Sequence, residues 1–386
     1  MPWKEASVIS LRKEFIDFVN NEGNISRLSE RFGISRQTGY KWIQRYLTEG
    51  EAGLEDRSRR PAGSPGRVSE EIEAAVITIR VEHPTWGGRK IRRRLQNLGI
   101  RTVPAASTIT SILNRHGLID VSESQQLPFR RFERQHPNDL WQMDFKGHVG
   151  CPEGRCHPLT VLDDYSRYSV ILRACLNERA ETVQSCLREA FRQYGLPNQI
   201  ITDNGPPWGT HSATSYTELS IWLIRLSILV SHSAPAHPET LGKDERFHRT
   251  LKAELLGDSL PWWNQEAQKR FDQWRFQYNH YRPHEALAME VPASRYQVSR
   301  RPFPESLPTI EYATEDIVRK VQNKGILHFR GREFRVPKAL TGYPVALRPR
   351  AQCDGVFEVY FVRQLVTVIN INDHDLESVN HVPEHL

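Results

Sequence analysis

Apolar residues recur at helical spacing in the first third of this chain and at strand spacing through its middle and end. Val8, Leu11, Phe15, Phe18 and Val19 mark one face of a helix over residues 8–20. The stretch ISRLSERFGISRQTGYKWIQRYL then predicts a short helix, a turn at Gly33 and Ile34, and a second helix opened by Ser35 as N-cap. Leu28, Phe32, Ile34, Trp42 and Ile43 are its expected core. Arg36, Gln37, Thr38, Lys41 and Arg45 are expected to face outward. This is a helix-turn-helix pattern, whose second helix suits the DNA major groove.

EDRSRRPAGSPGR, with Arg59 and Arg60, reads as an extended basic linker fit to follow phosphates or a minor groove. A second helical set follows. Ser69 caps EEIEAAVITIRVEHP, whose first-turn acids suit the helix dipole. GGRKIRRRLQNLG forms the next helix, and PAASTITSILNRHG the third, entered at Pro104 and left at Gly117. Arg89, Lys90, Arg92, Arg93 and Arg94 give this second helix-turn-helix a basic side. Ser107, Thr108, Ser111 and Arg115 are candidates for groove or phosphate contacts.

From Leu140 the texture changes. WQMDFKGHV, CHPLTVLDDY and SVILRACL read as strands, ETVQSCLREAFRQYG as a helix and NQIITD as a further strand, which together make a mixed α/β sheet. Residues 212–230 include a helix, LSILVSHSAP holds another short strand, and helices cover 240–256 and 262–281. Beyond the Pro-rich VSRRPFPESLP, the segments GILHFRGREFRV, YPVALRPR, GVFEVYFV and LVTVINI alternate as in a small antiparallel barrel. The expected organisation is multidomain α+β. It comprises a helix-turn-helix domain (1–54), a basic linker (55–66), a second helix-turn-helix domain (67–120), a connector (121–138), a catalytic core (139–297), a linker (298–309) and a small β-rich C-terminal domain (310–386).

Charge sharpens this picture. Of 52 Lys and Arg and 46 Asp and Glu, residues 1–137 hold 23 and 16, leaving 29 and 30 for the rest. The basic excess therefore lies in the helical third and points to a polyanion. No run of eighteen apolar residues offers a membrane span, and the start lacks the pattern of a secretory signal. Five cysteines, an odd number in a long chain, fit a reducing cytoplasm. Cys151 and Cys156, between His148 and His157, lack the usual zinc spacing, and Pro152 and Gly154 make the stretch a hairpin turn.

The candidate chemistry rests on three carboxylates. Asp144 sits on the first strand, Asp203 ends the apolar run NQIITDNG, and Glu245 falls early in the helix containing GKDERFHRTLKAEL. Two strand ends and a helix can bring carboxylates onto one hard cation, or onto two held about 4 Å apart. Such a site suits phosphodiester displacement, where charge must be neutralised on the attacking and leaving oxygens. Glu245, Arg249 and Lys252 share a helix face, so Arg249 or Lys252 can hold phosphate beside the glutamate.

The segments LWQMDFKGH, LTVLDDYSRY, ITDNG, AHPETLGKDERFHRTLKAEL and YNHYRPHEAL resemble the integrase core of bacterial insertion-sequence transposases. Among these the chain is most similar to the insertion sequence 481 family, relatives of retroviral integrases. The resemblance runs from the first helix-turn-helix to about residue 296. It implies a ribonuclease-H-like core with a DDE triad of Asp144, Asp203 and Glu245, served by Mg²⁺ or Mn²⁺, with two ions per site. It also implies helical modules that recognise terminal inverted repeats, 3′-end cleavage, strand transfer into target DNA, and a homo-oligomer, dimer or larger, working on double-stranded DNA at the bacterial nucleoid. One departure is the 41 residues between Asp203 and Glu245, longer than is usual in that superfamily. Glu239 restores the shorter spacing, but Glu245 stands in the matching G-x-x-E-R-F motif. Asp163 and Asp164 are expected to support the fold or site without joining the triad. Two rivals remain: a nuclease of the same fold that cuts without joining, and a catalytically silent DNA-binding regulator.

Overall fold

The computed structural model describes residues 8–57, 68–119, 133–152, 154–209, 216–233, 242–257 and 265–372. The chain divides into two compact units, Met1–Arg67 and Val68–Leu386.

In the first unit, α1 (Val8–Glu22), α2 (Ile25–Arg31) and α3 (Arg36–Glu49) enclose Phe15, Ile16, Leu28, Trp42 and Leu54. Phe32, Ile34 and Ile43 pack partly buried against this core. Ser35 caps α3 by accepting the Thr38 amide, which satisfies one of the helix's orphan donors. Gly39 is needed for close approach: a Cβ there would meet the Ser29 hydroxyl at 2.8 Å and the Phe15 ring at 3.0 Å.

The second unit opens with α4 (Glu70–Glu82), α5 (Gly88–Asn97) and α6 (Ala106–Arg115) around Val76, Ile79, Trp86, Ile91, Leu95, Ile109, Ile112 and Leu113. Ser69 occupies the N-cap of α4 with extended backbone, but its hydroxyl makes no capping bond. The first-turn acid Glu73 is drawn inward instead, accepting from Arg115 and bonding His116 at 2.7 Å.

Next come β1 (Trp141–Phe145), β2 (Val149–Cys151), β3 (Gly154–Asp163), β4 (Ser169–Cys175), α7 (Ala180–Tyr194), β5 (Gln199–Thr202), α8 (Glu218–Arg225), β6 (Leu229–His232), α9 (Gly242–Leu251) and α10 (Gln265–His280). β3 pairs antiparallel with β1, β2 and β4, whereas β5 pairs parallel with both β1 and β6. The period-2 pleat sorts the residues of β1. Trp141, Met143 and Phe145 join the α7 side chains Val183, Leu187 and Phe191 in one core. Gln142 and Asp144 therefore point to the other face. There Leu162 and Leu172 pack with Phe247 and Leu251 of α9 and Phe271, Trp274 and Tyr278 of α10. Cys151 and Cys156 lie in the β2–β3 hairpin, where Cys151 pairs with Gly154. No helix among the described residues is long and apolar enough to cross a membrane.

The last part holds β7 (Ile317–Lys320), β8 (Ile326–Phe329), β9 (Arg332–Arg335), β10 (Pro344–Pro349), β11 (Val356–Phe361) and β12 (Gln364–Asn370). The expected small barrel is not closed among the described residues. The order β12-β11-β10-β7 is an open antiparallel sheet, and β8 pairs with β9 in a separate ribbon that meets the residues after β7 through one bridge, Gln322 to Ile326. The physical reason is that hydrophobic packing substitutes for closure. Leu327 and Phe329 of the ribbon lie in the same core as Val345, Leu347, Phe357 and Phe361 of the sheet.

Candidate active site

Parallel pairing of β1 with β5 sets Trp141 opposite Ile200 and Gln142 opposite Ile201. The pairing stops there: Asp144 lies within β1, and Asp203 follows one residue past the end of β5. Beyond the end of β5, the Asp203 carboxylate accepts the Gly205 amide at 3.1 Å, an Asx turn that the Asp-Asn-Gly sequence favours. Burial, and secondarily the charge of Asp203, push the Asp144 carboxyl up to about 7.

On the other side of Asp144, β3 sets Thr160 directly opposite it. The Thr160 hydroxyl donates to the Asp144 carbonyl at 2.9 Å and lies 2.8 Å from His248 Nε2. His248 Nε2 is in turn 3.3 Å from the Asp244 carboxylate, and His248 Nδ1 is 3.9 Å from that of Asp144. Burial pushes the His248 imidazole down to about 3, with Lys146 acting in the same direction, so the ring is neutral at physiological pH. Asp244 is fully buried, and burial and then Asp144 raise its carboxyl well above the usual range. Among the described residues, ligand-type atoms of Asp144, Asp244 and His248 all lie within 4.8 Å of one another.

Glu245 lies outside that cluster. It is exposed and lines an open cleft of about 650 Å³ with Lys146, His248, Arg249, Lys252, Ala253 and Gly257. Glu239 falls outside the described residues. Asp163 and Asp164 are buried beside the site. Asp163 accepts from the Asn138 and Ser166 amides, and Asp164 from the Arg134 amide, the Gln142 side chain and Lys243 at the start of α9. Asp164 thus fastens α9 to the sheet.

The donor set fits a divalent cation. Carboxylate oxygens of Asp144 and Asp244 lie close together in a half-buried recess, and the Asp144 carboxyl is raised by burial and then by the Asp203 charge, both of which a cation would offset. The sequence did not single out Thr160, Lys146, Asp244 or His248. A signal for the last two was present, since residues four apart on a helix share a face.

The expected DNA contacts divide into groups. Arg36, Gln37 and Lys41 are exposed on α3, Thr38 is half-buried with its hydroxyl 2.9 Å from Ser35, and Arg45 turns back to the Glu55 carbonyl and over Trp42. Arg59 and Arg60 lie outside the described residues. On α6, Ser107 is exposed and Thr108 half-buried. Arg89, Lys90 and Arg93 of α5 face the catalytic core: Arg89 bonds Glu285, Arg93 bonds Glu290, and burial pushes the Lys90 amine down to about 8. Arg249 and Lys252 line the cleft beside Glu245.

Models of known families match in order along the chain. A helix-turn-helix domain matches residues 11–62 and a homeodomain-like domain residues 38–113. Integrase core domains match residues 134–238 and 226–292, and the IS481 family transposase C-terminal domain matches residues 316–377. The chain carries the domains of an integrase-core transposase, with a C-terminal domain of the IS481 family type. This transposase is 26% identical over 251 residues to an insertion element IS476 uncharacterized 39.2 kDa protein of Xanthomonas euvesicatoria, covering 63% of this chain and 69% of that one. It is 24% identical over 279 residues to the transposase for transposon Tn552 of Staphylococcus aureus, covering 63% of this chain but 55% of its relative. Among solved structures, a simian T-cell lymphotropic virus intasome chain aligns at 19% identity and a TM-score of 0.37 over 75% of this chain and 96% of that one. The HTLV-2 integrase catalytic core in complex with magnesium aligns at 18% identity and a TM-score of 0.31, covering 42% of this chain and 98% of the other.

Proposed function

We propose that the transposase uses Asp144, Asp203 and Glu245 to hold two Mg²⁺ or Mn²⁺ ions, cleaves the 3′ ends of its element and joins them to target DNA. What supports this reading is that Asp144 on β1 and Asp203, just past the end of the neighbouring parallel strand β5, are near enough for the charge of Asp203 to act on Asp144. When bound, divalent ions neutralise charge on the attacking and leaving oxygens of an in-line displacement.

The residues of the chain do the rest. Lys146, Arg249 and Lys252, which line the cleft with Glu245, draw phosphates to the carboxylates. Neutral His248, braced by Thr160, fills the space behind Asp144 without adding positive charge. Water attacks the scissile phosphorus, the bond to the leaving oxygen breaks, and a 3′-hydroxyl remains. That hydroxyl then attacks a target phosphodiester in the same site, forming one bond and breaking another. α3 and α6 recognise the terminal inverted repeats, and the small C-terminal sheet adds contacts to DNA or to another subunit. Two ends must meet one target, so the working form is a dimer or larger assembly in the bacterial cytoplasm.

A second ligand set, Asp144, Asp244 and His248, has the 4.8 Å grouping in its favour. Glu245 is preferred because Asp244 is fully buried against Thr160 and His248, whereas Glu245 faces the cationic cleft. The test uses duplexes bearing the terminal sequences that flank the reading frame, incubated with Mn²⁺ or Mg²⁺. Cleaved and joined products from the wild type, lost in Asp144→Asn and Glu245→Gln with binding kept, support the proposal. Cutting without joining reduces the protein to a nuclease, and binding without cutting reduces it to a regulator. An inactive Asp244→Asn beside an active Glu245→Gln transfers the third position to Asp244.

A further inference from the structure

α9 does not simply end at Leu251. It widens into a π-helical turn over Lys252–Leu256, closed by the Gly257 amide donating to the Lys252 carbonyl at 2.9 Å. Such turns are uncommon and cluster at functional sites. Ala253 and Gly257 of this turn line the same cleft as Glu245.

Glu254, in the middle of the turn, is tied elsewhere. Its carboxylate accepts from the Trp274 indole at 3.2 Å, from Arg282 Nε at 2.9 Å and from the Thr85 hydroxyl at 2.9 Å. Trp274 and Arg282 belong to the core, but Thr85 lies between α4 and α5 in the second helical set. Glu254 is largely buried, its side chain 14% exposed, whereas Thr85 is exposed. Around this point α5 is seated on the core by Arg89 to Glu285, Arg93 to Glu290 and the Arg94 guanidinium 5.1 Å from the Tyr281 ring.

We infer that Glu254 is a positioning residue for the transfer reaction. It locks the docked helices α4–α6 to the π-turn, and thereby fixes where α9 presents Glu245. The contact makes seating of a DNA-recognising module and placement of the catalytic glutamate one event. The inference rests on the reading of Glu245 given above. Two facts separate it from mere support of the fold. The carboxylate joins three separate segments, and it does so on the helix that carries Glu245, within about three turns of it.

The test compares Thr85→Val, Glu254→Gln, Glu254→Asp and the Thr85→Val/Glu254→Gln double variant in the full-length transposase. The probe is a duplex with the element's terminal sequence plus Mn²⁺. Loss of the Thr85 bond is expected to slow cleavage about 5-fold, and Glu254→Gln about 10- to 100-fold. Duplex affinity should stay within about 3-fold, and Glu254→Asp should recover part of the rate. In the double variant the Thr85 effect should vanish, since Thr85 acts through Glu254. Additive losses, a loss expressed wholly as weaker binding, or a normally folded Thr85→Val that cleaves at the wild-type rate would each overturn the inference. If Glu254→Gln fails to fold, Thr85→Val at its exposed position decides alone. Glu245→Gln keeps the two readings apart. Were it still to cleave, the triad fails; were it inactive while both positioning variants cleave normally, only this inference falls.

Discussion

Asp144 lies on β1 and Asp203 just past the end of β5, its parallel neighbour, in a register that sets Gln142 against Ile201. The paired strands hold a fixed separation between the backbones that lead to the two carboxylates. Burial first, and the charge of Asp203 second, leave Asp144 with a carboxyl raised to about 7. Ionising a carboxyl raised in this way costs stability, a cost that a bound cation would offset.

Asp144 should make the metal-free protein less stable as pH rises. Its folded pKa of about 7 lies above the value of about 3.9 expected unfolded, so the folded state holds the proton more tightly. Its favourable contribution is complete below about pH 4 and is lost as pH rises through about 7. Thermal melts from pH 5 to 8 should show this fall in the wild type and a flatter curve in Asp144→Asn. Mn²⁺ at 100 times its dissociation constant should restore about 2.7 kcal/mol to the wild type only. Equal slopes and equal metal responses in both proteins would refute this account.

His248 should act at the acid end. Its folded pKa of about 3 lies below the unfolded value of about 6.5, so its contribution is present above pH 6.5 and drains away as pH falls towards 3. His248→Gln keeps a group able to bond Thr160 and should lose less thermal stability between pH 7 and 4. His284, also lowered strongly by burial, leaves part of the acid slope in place. An unchanged slope in the variant would show that His248 titrates normally.

Lys90 and Lys41 should behave differently towards DNA, although both were expected to bind it. Lys90 is half-buried between α5 and the core, whereas Lys41 is exposed on α3. Lys41→Met should reduce the slope of log affinity against log salt by about 1, and Lys90→Met should leave it unchanged. Binding titrations from 50 to 200 mM salt read the difference. A reduced slope in Lys90→Met would mean that α5 leaves the core to reach phosphate.

Gly88→Ala should destabilise the α4–α6 set despite alanine's better helix propensity. An added Cβ would collide with the Ala106 carbonyl oxygen and the Thr110 hydroxyl where α5 meets α6. The expected loss is about 1–3 kcal/mol by denaturant unfolding, the range for overpacking. A stabilised variant would show that the two helices separate at little cost.

Much of this molecule was legible in local pattern. The first helical core followed from the spacing of Leu28 and Trp42, the Ser35 cap from its position, and the strand placing Asp144 from the alternation in WQMDF. Side-chain partners across the fold were less legible. The Arg/Lys run in α5 reads as a DNA surface because charge alone does not reveal its counter-ions. Glu285 and Glu290, almost two hundred residues away, supply them. The alternating C-terminal strands likewise leave open whether a sheet closes, since that depends on which edges find partners.

The sequence alone determined the order of modules, the helix and strand periods and the presence of a carboxylate in each motif, because these depend on neighbours a few residues apart. Only the tertiary structure decided that Asp244 and His248 crowd against Asp144, and that Glu254 binds Thr85. Register, burial and counter-charge arise between segments distant in the chain, where pairing geometry and desolvation set the outcome rather than local propensity.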